Sequence, residues 1–226
     1  MKALTSMATR HLLAELLADH AVELTATGGV DAEQRVSGGK AVDLVFLSSA
    51  ALTRLSASGA IDAETITPLV RSEVAVAVPS GSDEPAMRPT GTAFSDAQGV
   101  RDALRSAASV GYSTGPSGNA LVRMIEQWGL ADELGDRLRQ APPGVPVARL
   151  IAAGEVDLGF QQLSELVGEP GVQILGVLPD DCAIETTFSG AVATTAKDPV
   201  AARRILGALA AVDAEPAKRR HAFHPA

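Results

Sequence analysis

The residues most capable of chemistry lie in Gly111-Tyr112-Ser113-Thr114-Gly115-Pro116-Ser117-Gly118-Asn119. A short stretch, Ala108-Ser109-Val110, leads into it, and Ala120 to Trp128 then follows helical spacing. A strand, a hydroxyl-rich turn and a helix start leave backbone N–H groups unpaired at the positive end of a helix. Ser113, Thr114 and Ser117 can add hydroxyl donors, and Gly115 and Gly118 allow a ligand close to the backbone. The chemistry this pattern suits is capture of an anion. A capped helix after a tight turn has the same composition.

Hydroxyls recur at two other strand-to-helix junctions, at Ser6 and at Ser48-Ser49. Gln161 and Gln162 end a further apolar run and offer amide donors and acceptors. Arg71 precedes a strand and Arg10 lies one turn into the first helix; either guanidinium could fork onto a carboxylate. His11 is a candidate proton carrier and Glu165, just past the glutamine pair, a candidate base. The alternative reading is a surface ion pair for Arg71 and a solvated surface group for Arg10, His11 and Glu165. Gly111-Tyr112-Ser113-Thr114-Gly115 also fits the G-x-S-x-G nucleophile elbow, with Asp180 or Asp181 and His221 or His224 in hydrolase order. No glycine-rich oxyanion motif precedes it. Gly38-Gly39-Lys40 fails as a phosphate loop, since Gln34 and Ala41 stand where Gly and Ser or Thr belong. The acidic residues show no metal-ligand or paired-carboxylate spacing, so neither a metal nor another cofactor is expected.

A net charge of −8 argues against a nucleic-acid or anionic-membrane partner, and 3% aromatic residues argue against base stacking. An anion would need a locally positive pocket. One cysteine, Cys182, excludes an intrachain disulfide and reads as a small buried hydrophobe. No apolar window is long enough to cross a membrane and no signal peptide is evident, so the expected location is cytoplasmic, or periplasmic if a leader has been removed. Nothing in the sequence sets an oligomeric state.

With 226 residues the chain can bury a large core. Strands are expected at 2–4, 21–25, 41–47, 73–79, 109–112, 156–160, 172–177 and 186–195. Helices are expected after Thr5 or Ser6 (Leu12, Leu13, Leu16 and Leu17 inward) and at 50–55, 96–106, 120–128, 131–138, 147–153 and 199–212, with Ile205, Leu206 and Leu209 inward in the last. Glycines 28, 29, 38 and 39 read as a loop, and 80–91 as a loop or domain crossover. Alternation of strands and helices implies an α/β fold with mostly parallel sheets, whose ligands sit at the carboxyl ends of strands.

In their order and spacing, four stretches together resemble the type-2 periplasmic-binding-protein fold, in its molybdate-binding-protein-like branch. They are Thr5-Ser6-Met7, Ala41 to Ser49, Gly111 to Gly118, and Gly154 to Leu166. The resemblance implies two α/β lobes, residues 1–77 plus 190–226 and residues 78–189, with two crossovers forming a hinge and a ligand cleft between the lobes. It places Ser6, Ser48 or Ser49, and Ser113 to Gly118 at the ligand. Gln161-Gln162 stand where molybdate binders carry a tyrosine, which implies a flatter carboxylate. The branch is similar to aconitate-isomerase-like enzymes, and so implies either a cofactor-free isomerase of a small polycarboxylate or a non-catalytic oxyanion or carboxylate binder.

Overall fold

The computed structural model describes residues 1–82 and 91–226, so most of the expected loop at 80–91 lies outside the described residues. The chain divides into two compact units, Met1–Ser72 with Thr186–Ala226, and Glu73–Glu185. The first unit opens with β1 (Lys2–Ser6), α1 (Arg10–Leu16), β2 (Glu23–Thr27), α2 (Gly29–Ser37), β3 (Leu44–Ser48) and α3 (Ser49–Ala57). The long β4 (Thr67–Pro79) carries the chain into the second unit. There follow α4 (Ala97–Ser106), β5 (Val110–Tyr112), α5 (Pro116–Gln127), α6 (Ala131–Leu134), β6 (Leu138–Gln140), α7 (Val147–Ala152), β7 (Leu158–Gln162), α8 (Leu163–Leu166) and β8 (Val172–Val177). β9 (Glu185–Val192) returns to the first unit, which ends with α9 (Pro199–Ala210), α10 (Glu215–Arg220) and β10 (His224–Pro225). The chain thus changes unit at 72/73 and 185/186, inside β4 and at the start of β9, where the expected changes were 77/78 and 189/190.

In the first unit β1 lies between β2 and β3, parallel to both, and β9 runs antiparallel to β3. In the second, β5 lies between β6 and β7, again parallel to both, while β4 runs antiparallel to β7 and β8. The sheets are therefore mixed rather than mostly parallel. Parallel pairs need a crossover helix, which β1–β3 and β5–β7 have; β4 and β9 enter without that crossover and run against their neighbours.

Both faces of β3 are covered. Leu44 and Phe46 join Leu12, Leu13, Phe188 and Leu206 on one side; Val45 and Leu47 join Val36, Leu52 and Leu55 on the other. That two-sided burial is why residues 44–47 are a continuous apolar run. β4 divides in the same way in the second unit: Val74, Val76 and Val78 face Leu121, Ile125 and Phe160, and Ala75 and Ala77 face Val147 and Ile151. Each large side chain so buried contributes roughly 1.5–3 kcal/mol.

One expected loop is a helix. Gly28 is the N-cap of α2 and Gly38 its C-cap, while Ala32 and Val36, four residues apart, pack beneath it. Gly39 takes φ +85° and Lys40 N–H donates to the Arg35 carbonyl at 2.9 Å, so Gly38-Gly39-Lys40 terminates a helix. α1 also begins later than expected. Met7 to Thr9 form a turn, Thr9 is the N-cap with no side-chain hydrogen bond to the helix end, and neither Thr5 nor Ser6 caps the helix.

Candidate functional site

Each unit gathers polar side chains at the carboxyl ends of its paired parallel strands. In the first unit Ser6 ends β1 and Ser48 ends β3. Ser48 Oγ accepts from Ala51 N–H at 3.3 Å and so caps α3. Ser49 Oγ donates to the Thr187 carbonyl at 3.2 Å and meets Ser189 Oγ at 2.7 Å. Thr9 Oγ1 meets Thr5 Oγ1 at 2.7 Å and Ser6 Oγ at 3.4 Å. The start of α2 closes on the same place, since a Cβ built on Gly29 would lie 3.8 Å from that of Ser6. Thr5, Thr9 and Ser189 are buried hydroxyls that sequence reasoning missed as site residues. Their signal was weak: polar positions in or beside apolar strands.

In the second unit Ser113 follows β5 directly, and its Oγ lies 3.1 Å from Ser117 Oγ in the first turn of α5. Gly115 is the N-cap of α5, with no side chain bonded to the helix end, and Pro116 occupies the first turn. The end of a twelve-residue helix is thus left with its positive pole and first-turn N–H groups at a pair of serines. Thr114 and Gly115 are half-buried in the same loop. Gly118 has a packing reason. A Cβ there would stand 1.8 Å from the Ser113 carbonyl oxygen, so only glycine lets the loop fold over the helix.

The glutamine pair splits across β7, as strand alternation requires. Gln161 accepts from Ala148 N–H at 3.3 Å through Oε1, capping the start of α7, and donates from Nε2 to Glu165 Oε2 at 2.8 Å. Its amide therefore positions α7 and Glu165. Gln162, also buried, shares the other strand face with Phe160, beside the end of β5.

The charged candidates are more dispersed. Arg10 is half-buried and donates to the Met7 carbonyl at 3.2 Å, which braces the turn after Ser6. His11 lies exposed on α1. Arg71 is exposed on β4, in register with His224. Of the hydrolase candidates, His221 Nε2 is 2.8 Å from Glu15 Oε2, Asp181 accepts from Ala97 N–H at 3.0 Å, and Ser113 meets Ser117. Cys182 is buried among the apolar side chains of the second unit; burial and the neighbouring Asp181 push its thiol up to about 11. Among the described residues no helix is long and apolar enough to cross a membrane.

The model of a family described as bacterial extracellular solute-binding protein matches residues 1–224. The chain belongs to that family. Among solved structures, this solute-binding protein superimposes on the periplasmic molybdate-binding protein of Azotobacter vinelandii with a TM-score of 0.81 at 16% identity, covering 100% of this chain and 99% of that one. The sulfate-binding protein SubI of Mycobacterium tuberculosis gives 0.75 at 18% identity, over 100% of this chain and 86% of that one. These likenesses establish the type-2 periplasmic-binding-protein fold expected from the sequence. Aconitate isomerase from Pseudomonas sp is 34% identical over 180 residues, 80% of this chain. The match spans 66% of that protein's length.

Proposed function

We propose that this solute-binding protein captures a small polycarboxylate at its serine clusters and moves a proton along it, as a cofactor-free isomerase. The observation that carries the capture is the pairing of serines with a helix end at strand carboxyl termini, built independently in each unit. Hydroxyls and first-turn N–H groups are donors that a carboxylate or tetrahedral oxyanion accepts, and the helix pole favours its charge. The relation to aconitate isomerase supports the proton transfer. In that chemistry a base removes a proton from carbon, the electron pair spreads into the adjoining carboxylate, and the proton returns one allylic position away. Glu165 suits the base better than His11. It stands on α8 immediately beyond β7 with its carboxylate held by Gln161, whereas His11 lies on an exposed helix face.

A second reading, an oxyanion binder without turnover, is favoured by the likeness to the molybdate-binding protein and by the engagement of Glu165 with Gln161. A thermal-shift screen separates the two, because a ligand that binds only the native state raises its melting temperature. The first reading expects stabilisation by cis- and trans-aconitate and their interconversion by NMR, abolished in Glu165→Gln with binding retained. Stabilisation by molybdate or sulfate alone, with no isomer formed, would establish the second.

A further inference from the structure

Gln161 is a buried amide to which the isomerase reading gives no chemical step. It is only 1% exposed. Its side chain lies on the face of β7 that packs on α7, because Gly159, two residues earlier on that face, abuts Val147 and Ile151. The strand partner opposite it is Ala75 of β4, which has no polar side-chain atom. Its amide meets Ala148 N–H at 3.3 Å and Glu165 Oε2 at 2.8 Å.

These two bonds fix the sense of the amide. A backbone N–H only donates, so the atom facing Ala148 is the oxygen and the atom facing Glu165 is the NH2 nitrogen. Such a donor bonds roughly twice as strongly to an ionised carboxylate as to a neutral one, and so favours the charged form. β7 and β8, which pack on α8, carry no charged residue. The charges on the other second-unit elements around it are Glu73 of β4, Arg149 of α7 and Glu169 beyond α8. Two of these three are carboxylates, which disfavour a further negative charge, so a donated hydrogen bond matters at Glu165.

We propose that Gln161 is a positioning residue of the isomerase: from an amide locked by Ala148 it holds Glu165 ionised and in one orientation, rather than contacting the ligand. The proposal rests on the reading of Glu165 as the base. In the reaction the substrate C–H bond breaks, its electron pair stays in the substrate, and Glu165 takes the proton. Gln161 Nε2 keeps its own protons throughout. Its bond weakens while Glu165 is neutral, which favours return of the proton one allylic position away.

The test compares the whole chain with Gln161→Glu. That variant keeps the length and an oxygen for Ala148 N–H, but turns the donor facing Glu165 into an acceptor. The two carboxyls then titrate as a pair, the later step raised by like charge. The Glu165 Cδ resonance in ¹³C NMR should titrate about one pH unit higher than in the unsubstituted protein. The acid limb of kcat/KM for cis-aconitate should move up with it. A merely structural Gln161 leaves both where they were, and that result overturns the proposal. Should Gln161→Glu not fold, the unsubstituted protein decides. One proton of the Gln161 side-chain NH2 is expected to shift as Glu165 titrates; an unmoved signal overturns it. If the unsubstituted protein does not interconvert cis- and trans-aconitate, the isomerase reading falls and takes this role with it. A Gln161→Glu protein that isomerises with an unmoved acid limb overturns the role of Gln161 alone.

Discussion

The two units solve one problem with the same strand plan and different chemistry. Val42-Asp43-Leu44-Val45-Phe46-Leu47-Ser48 and Val156-Asp157-Leu158-Gly159-Phe160-Gln161-Gln162 occupy equivalent places. Each is a strand parallel to a neighbour that ends in a serine turn, with Ala3 opposite Leu44 and Val110 opposite Leu158. In both, the aspartate ties the strand's start to that neighbour. Asp43 accepts from Lys2 N–H at 2.7 Å and Lys197 N–H at 2.8 Å, and Asp157 accepts from the Ser109 hydroxyl at 2.7 Å. At the other end they diverge. The first unit ends in buried hydroxyl chains, whereas the second has the pole of α5 and a glycine that lets the loop close on it. The comparison teaches that one strand pattern can end in a network of side-chain hydroxyls or at a helix N-terminus, and the pattern does not reveal which.

The largest expected effect tests the second unit. Gly118→Ala sets a Cβ against the Ser113 carbonyl and should lower stability by about 3 kcal/mol, read by urea unfolding, with anion affinity lost as the loop moves. An unchanged midpoint would show that the loop can step aside. Next come the aspartates. Asp43→Asn should cost about 2 kcal/mol, because a buried carboxylate with two backbone donors is weakened, and Asp157→Asn, exposed, well under 1 kcal/mol. Equal losses would erase the distinction between the two anchors.

The same pair separates by pH. Burial pushes the Asp43 carboxyl up, but the Lys2 and Lys197 N–H bonds and nearby positive charge bring it below the usual carboxylate range. A depressed folded-state pKa contributes stability that is present above about pH 4 and lost as pH falls through the depressed value. Acid unfolding should therefore be blunted in Asp43→Asn, measured as a shallower loss of stability below pH 4. Smaller again, Ser6→Ala and Ser117→Ala should each weaken anion binding by about tenfold with little change in melting temperature. If only one of them matters, a single unit carries the affinity. Cys182 should show the least response: with its thiol at about 11 it should resist alkylation at pH 8 while the unfolded chain labels completely.

Much of this was legible in the residues because period and punctuation are local. The near-continuous apolar run at 41–47 announced a strand covered on both faces, and the helix expected at 96–106 is α4, capped by Asp96, whose carboxylate accepts from Gly99 N–H at 2.9 Å. α2 was misread because its glycines mark its two ends, and a nine-residue helix between them holds only two buried side chains. The direction of β4 and β9 depends on where the chain changes unit, which no local pattern records.

The sequence by itself determined the alternating elements, the serine turns at strand ends and the family resemblance, because these depend on spacing along the chain. Only the tertiary structure decided that Gln161 braces α7 and Glu165, that Gly118 is required by the Ser113 carbonyl, and that Lys218 shares a cavity with Thr9 and Ser189. Those facts depend on which groups meet once the chain has packed, whether near in sequence, as Gly118 and Ser113 are, or far apart, as Lys218 and Thr9 are, and spacing along the chain does not set that.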